Sequence, residues 1–90
     1  MVNAYDYQGW RNPETWNTNL WIGNEYGLYR TVRELYNRSK NEGDFADSLE
    51  YYITLVLARF NGYTQDGYRL ALVDWCQIAD SWYYENKDSK

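Results

Sequence analysis

The 90-residue chain contains no histidine. That removes the commonest general base, the imidazole metal ligand and every Ser-His or Cys-His nucleophile pair. A single cysteine, Cys76, allows no internal disulfide, so the fold must hold without one, as expected in a reducing compartment. It is too few for a zinc site. Cys76 lies in the apolar run "LALVDWCQIA" with no cation beside it, and a buried structural thiol is expected there. The six glycines spell neither GxxxxGK[ST] nor GxGxxG, so no phosphate cradle is present. No apolar run approaches the roughly 20 residues needed to cross a bilayer. The start, "MVNAYDYQGW", lacks the basic-then-apolar order of a signal peptide. These absences lead to the expectation of a cytoplasmic protein that is not an enzyme and carries no cofactor.

Carboxylates are the chemistry that remains. Asp44, Asp47 and Glu50 recur at spacing three, near one helical face, and with Glu42 they offer oxygen ligands for a hard cation. The stretch "NEGDFADSLE" lacks the ligand spacing of a calcium loop, however, and a helix-capping role is the better reading. A pair such as Glu14 with Asp74 is the minimum a hydrolase needs, and nothing in the sequence prefers it over other pairs.

Aromatic rings are abundant: 11 Tyr and 5 Trp against 2 Phe. Tyr and Trp carry one polar atom on a large apolar body, so they fill a core at one end and meet water or a partner at the other. Charge is uneven. The net value is −4; residues 25–40 carry a local +2, whereas residues 41–85 carry −6. A −6 segment does not suit phosphate binding, which needs cations to replace counterions. It suits a basic partner.

The breakers divide the chain into one all-α domain, a compact bundle of about four short helices behind an irregular N-terminal arm, residues 1–11. Asn12-Pro13-Glu14 reads as N-cap, first-position proline and first-turn acid of a helix running to Ile22, with Trp16 and Leu20 facing the core. Asn24 is placed to cap a second helix over 25–39 with an inward stripe of Leu28, Val32, Leu35 and Tyr36. Asp44 is placed to open a third. Phe45, Leu49, Tyr52, Ile53, Val56, Leu57 and Phe60 fit one helical face there, against the strand propensity of "YYITLVL". Thr64 is placed to cap a fourth helix over 65–85, with Tyr68, Ala71, Leu72, Trp75, Ala79, Trp82 and Tyr83 inward. The tail over 86–90 is expected to fray.

The stretch "GWRNPETWNTNLWIGNEYGLYR", Gly9 to Arg30, resembles a family of small, largely uncharacterised proteins of phages, plasmids and prokaryotic genomes. The residues that carry the resemblance are Gly9, Trp10, Asn12, Glu14, Thr15, Trp16, Leu20, Trp21, Asn24 and Glu25. Gln8 stands where that family often has asparagine, and Pro13 where it often has an aromatic. The likeness covers about a quarter of the chain. It implies an association with mobile genetic elements and supplies no catalytic residue. Of the motif's rings, Trp10 is expected to fold over the helix start and Trp21 to stay exposed or partly exposed.

Together these readings lead to the expectation of a phage or mobile-element protein that binds a host protein. In its sharpest form it inhibits host defence, a CRISPR or restriction complex. The residues expected to meet a cationic host surface are Trp21, Asp47, Glu50, Asp74, Asp80 and Glu85, since interface centres favour rings and acids complement a basic patch. The alternative is a nucleic-acid-binding accessory protein using helix 2. There Tyr29, Arg30, Arg33, Tyr36 and Arg38 combine rings for base stacking with cations for the backbone.

Overall fold

A computed structural model describes residues 9–64 and 66–86. Most of the expected arm, residues 1–8, and the tail from 87 lie outside them. Four α-helices occur among the described residues: α1 (Pro13–Asn24), α2 (Tyr26–Arg38), α3 (Glu42–Val56) and α4 (Trp75–Asn86). There is no strand among them beyond an isolated antiparallel bridge between Tyr63 and Arg69. No described helix is long and apolar enough to cross a membrane.

α1 starts where the sequence predicts. Asn12 sits in extended backbone and its Oδ1 accepts from the Thr15 N–H at 2.8 Å, with Pro13 first in the helix. Its inward face is not the expected one. Thr15, Asn17, Thr18 and Ile22 are buried, while Leu20 is 44% exposed and Trp16 only partly covered. The reason lies far along the chain: Thr15 Oγ1 accepts from the Asp74 N–H at 2.8 Å, and Asn17 Nδ2 donates to Asp66 Oδ2 at 2.8 Å. Those bonds rotate α1 so that hydroxyls and an amide point inward.

A single extended residue, Glu25, joins α1 to α2, and it caps α2 without a side-chain hydrogen bond. Asn24 belongs to α1 instead of capping its successor. The inward stripe of α2 is as expected: Leu28, Val32 and Tyr36 are buried and Leu35 is partly buried. α3 opens two residues before Asp44. The cap is Asn41, whose Oδ1 accepts from the Asp44 N–H at 2.8 Å, and Asp44 Oδ2 accepts from the Lys40 N–H at 3.0 Å. Phe45, Leu49 and Ile53 are buried four residues apart, each contributing about 1.5–3 kcal/mol. "YYITLVL" is therefore helical through Val56. A 3-10 turn over Ala58–Phe60 follows, and Asn61 and Gly62 end it with positive φ.

The expected fourth helix is shorter at its start. Between Thr64 and Val73 the chain makes a tight turn closed by Thr64 N–H to Tyr68 O at 2.7 Å, with Gly67 at φ +88°, then a 3-10 turn over Leu70–Leu72. Asp74, not Thr64, caps α4: its Oδ1 accepts from the Gln77 N–H at 3.0 Å. Ala71 and Leu72 are consequently exposed. From Trp75 onward the expected stripe resumes with Ile78, Ala79 and Trp82 buried.

An aromatic knot joins α2, α3 and α4. Tyr36 meets Phe45 edge-on at 5.6 Å and Tyr83 at 4.9 Å, and Phe45 meets Trp82 at 5.8 Å. Such edge-to-face pairs add about 0.5–1.5 kcal/mol each beyond area burial. Several of the rings that dominate the composition go here.

Candidate functional site

The residues just before α1 are clasped to the start of α4. The Arg11 N–H donates to Gln77 Oε1 at 2.9 Å, and Gln77 Nε2 donates to Gly9 O at 3.1 Å. Asn12 Nδ2 donates to Leu72 O at 2.8 Å, while Asn12 Oδ1 accepts from Thr15 Oγ1 at 2.6 Å. The stretch Gly9 to Thr15 thus acts as a structural clamp that holds two distant segments together. Trp10 is partly buried against the core and lines a small concavity with Gly9, Gln77, Asp80 and Ser81.

Beside the clasp runs a groove of ≈ 520 Å³. One wall is α3, with Ala46, Asp47 and Glu50; the other is the segment from Ala71 to Cys76, and Arg11 and Asn12 lie at the rim. Its lining is part acid (Asp47, Glu50, Asp74) and part apolar (Ala46, Leu72, Val73, Trp75), with Leu72 47% exposed. Arg11 is the one cation in the lining among the described residues; its guanidinium Nη1 reaches Asp74 Oδ2 at 3.3 Å. Asp47 and Glu50 also line a second concavity with Tyr51 and Thr54, so the acidic edge of α3 separates two hollows.

The structure thus gathers three of the six residues expected to meet a protein partner. Asp80 lies apart, beside Trp10, with its carboxyl near that of Glu42. Partial burial first, then the neighbouring charge of Asp80, hold the Glu42 carboxyl above its ordinary value of 4.5. Glu85 is exposed in the last turns of α4. Trp21 is partly exposed, within the expectation for it: one side of its ring packs against the core. The rings left most exposed among the described residues are Tyr84, Tyr26 at the start of α2, and Tyr51. Cys76 is a correction. It is exposed and lines the groove, because one residue on from Trp75 it lies about 100° around α4, beside the buried face of Trp75, Ile78, Ala79 and Trp82.

The basic and aromatic residues of α2 do not assemble into a stacking platform. Tyr36 is 3% exposed inside the aromatic knot, and Tyr29 leans on Trp82 at 5.4 Å. Arg30 lies 6.0 Å from the Tyr26 ring, Arg38 pairs with Glu34 at 3.8 Å, and Arg33 is exposed. Among the described residues no three carboxylate or thiol side chains are grouped to hold a metal ion. Asp74, the acid paired on paper with Glu14, spends Oδ1 on the α4 cap and Oδ2 on Arg11.

Arg11 and Leu72 are groove residues that sequence reasoning missed. Arg11 carried no signal beyond its charge, and Leu72 looked like part of a helix stripe.

Residues 3–86 match a family of unknown function, DUF7249, which is nearly the whole chain, and the protein belongs to that family. No curated protein and no solved structure matches it.

Proposed function

We propose that this member of an uncharacterised family is a non-enzymatic binding protein whose groove between α3 and the 71–76 segment takes a cationic, partly apolar segment of a partner protein. One observation carries the reading: Asp47, Glu50 and Asp74 line the same ≈ 520 Å³ hollow as Leu72, Val73 and Trp75. Three carboxylates complement a basic side chain, and the apolar lining gives its aliphatic stem something to cover. The volume falls within the range of about 300–1,000 Å³ over which proteins accommodate ligands. The −6 charge of residues 41–85 favours approach of the same partner. In the sharpest form of this reading the partner is a host protein, a component of a CRISPR or restriction complex, and small size, acidic charge and the N-terminal motif support that form.

Titration calorimetry with a ten-residue peptide of alternating arginine and leucine tests the groove. Saturable binding is expected, weakened about tenfold or more by Asp47→Asn with Glu50→Gln, which corresponds to one decade in affinity. The exposed Cys76 thiol supplies a second readout, since a peptide in the groove slows its alkylation by a maleimide. Equal binding to both proteins, or an unchanged alkylation rate at saturation, overturns the reading. The host-defence form has its own assay: expression of the protein should restore phage plating on a strain with an active CRISPR or restriction system.

A further inference from the structure

We infer that the groove's occupant presents an arginine that exchanges with the chain's own Arg11 at Asp74, so that Arg11 is a resident stand-in for the partner's side chain. This rests on the docking reading above and adds to it the chemistry of one contact. Asp74 Oδ1 is fixed by the α4 N-cap, which leaves Oδ2 as the acceptor turned to the groove. A guanidinium already sits there: Arg11 Nη1 lies 3.3 Å from Oδ2. The Arg11 side chain is 72% exposed, so it holds this place by a single solvent-screened contact. An ion pair of that kind is cheap to replace, and the incoming charge recovers the same interaction. Meanwhile Asp47 and Glu50 on the opposite wall have no cation in the described lining besides Arg11. A segment carrying two or more arginines therefore gains contacts with α3 that Arg11 alone does not make.

The backbone around Arg11 does not depend on its side chain. Its N–H is held by Gln77 Oε1 at 2.9 Å, and Gln77 in turn holds Gly9 O. Arg11 can leave Asp74 without opening the clasp, and Arg11→Ala should keep the fold. The Asp74→Asn variant likewise keeps an Oδ1 for the α4 cap while removing the charge.

Titration of the arginine–leucine peptide against four proteins tests the exchange: wild type, Arg11→Ala, Asp74→Asn and the double variant, each checked for an intact thermal transition. Arg11→Ala is expected to tighten binding about two- to fivefold, the range set by an exposed ion pair. In the Asp74→Asn background the same substitution should have no effect, because the shared acceptor is gone. Tightening of equal size in both backgrounds would mean that Arg11 acts only through long-range charge, and the exchange is overturned while docking stands. Unchanged or weaker binding by Arg11→Ala overturns it too. If neither wild type nor Arg11→Ala binds the peptide, the groove reading itself fails and takes the inference with it.

Discussion

At the residue scale, the side chains that decide the fold include polar ones whose partners are distant in sequence. Asn12 was legible as a cap because everything it needs locally, Pro13, Glu14 and the Thr15 N–H, lies within three residues. Thr15 was not legible as a core residue. Its burial depends on Asp74, 59 positions away, and a period of apolar residues points to Trp16 and Leu20 instead. Thr18 shows the cost of this arrangement. It is fully buried and its Oγ1 has no hydrogen-bond partner, so α1 carries a desolvated hydroxyl into the core. Replacing it by an isosteric apolar side chain removes that penalty, worth about 1–3 kcal/mol. Thr18→Val is therefore expected to raise the thermal midpoint by about 4–8 °C, the shift that ~1 kcal/mol gives in a domain of this size. Scanning calorimetry checks the sign: a lowered midpoint would show that the hydroxyl is satisfied.

At the element scale, α1 was readable from its cap and α2 and α3 from their apolar period. The inward face of α1 and the caps of α2 and α3 were not, and the fourth helix was readable only from Trp75 onward. Its apolar spacing extends back to Tyr68, and the physical obstacle to an earlier start is backbone, not pattern. Gly67 adopts φ +88°, and Tyr68 N–H and O close a turn on Thr64. Arg69 and Val73 are extended as well, at ψ 123° and 132°, so no right-handed helix runs through to Trp75, whatever the side chains prefer. The two architectures predict opposite signs for one substitution. In a helix over 65–85, Gly67→Ala would stabilise by about 1 kcal/mol through propensity. In the observed turn a β-carbon at positive φ should cost about 1–2 kcal/mol. The cost would be pure backbone strain, since a Cβ there meets nothing within 4 Å. Urea unfolding of Gly67→Ala should thus give a lower midpoint, with Gly67→Asn in between. The misplaced cysteine is a matter of helical phase: an apolar run does not say which of its positions face inward, and Cys76 lies about 100° around α4 from Trp75, beside the buried face.

At the scale of the whole molecule, net negative charge lies on α3 and α4, and the fold brings part of it together with Asp74 from the neutral segment between them. Asp47, Glu50 and Asp74 converge on the groove, a grouping no spacing rule announces, because Asp74 arrives there only through the clasp with Asn12, Thr15 and Gln77. Asp80 converges elsewhere, on Glu42 at the first turn of α3, and the packing of α3 on α4 keeps the two carboxyls together. The Glu42 carboxyl is raised in the folded protein above the 4.5 it has in an unfolded chain. Between those two values the folded state keeps a proton that the unfolded state has released. Folding stability contributed by this pair is therefore present at and below pH 4.5, falls as pH rises through the window, and stays lower at neutral pH. Asp80→Asn removes the neighbouring charge, and its amide can donate to the Glu42 carboxylate. The variant should gain stability at pH 7 and show a flatter stability profile on the acid side, measured by urea unfolding at pH steps from about 4 to 7. A variant that loses stability at pH 7 and keeps the wild-type slope would show that the carboxyl pair does not govern this limb.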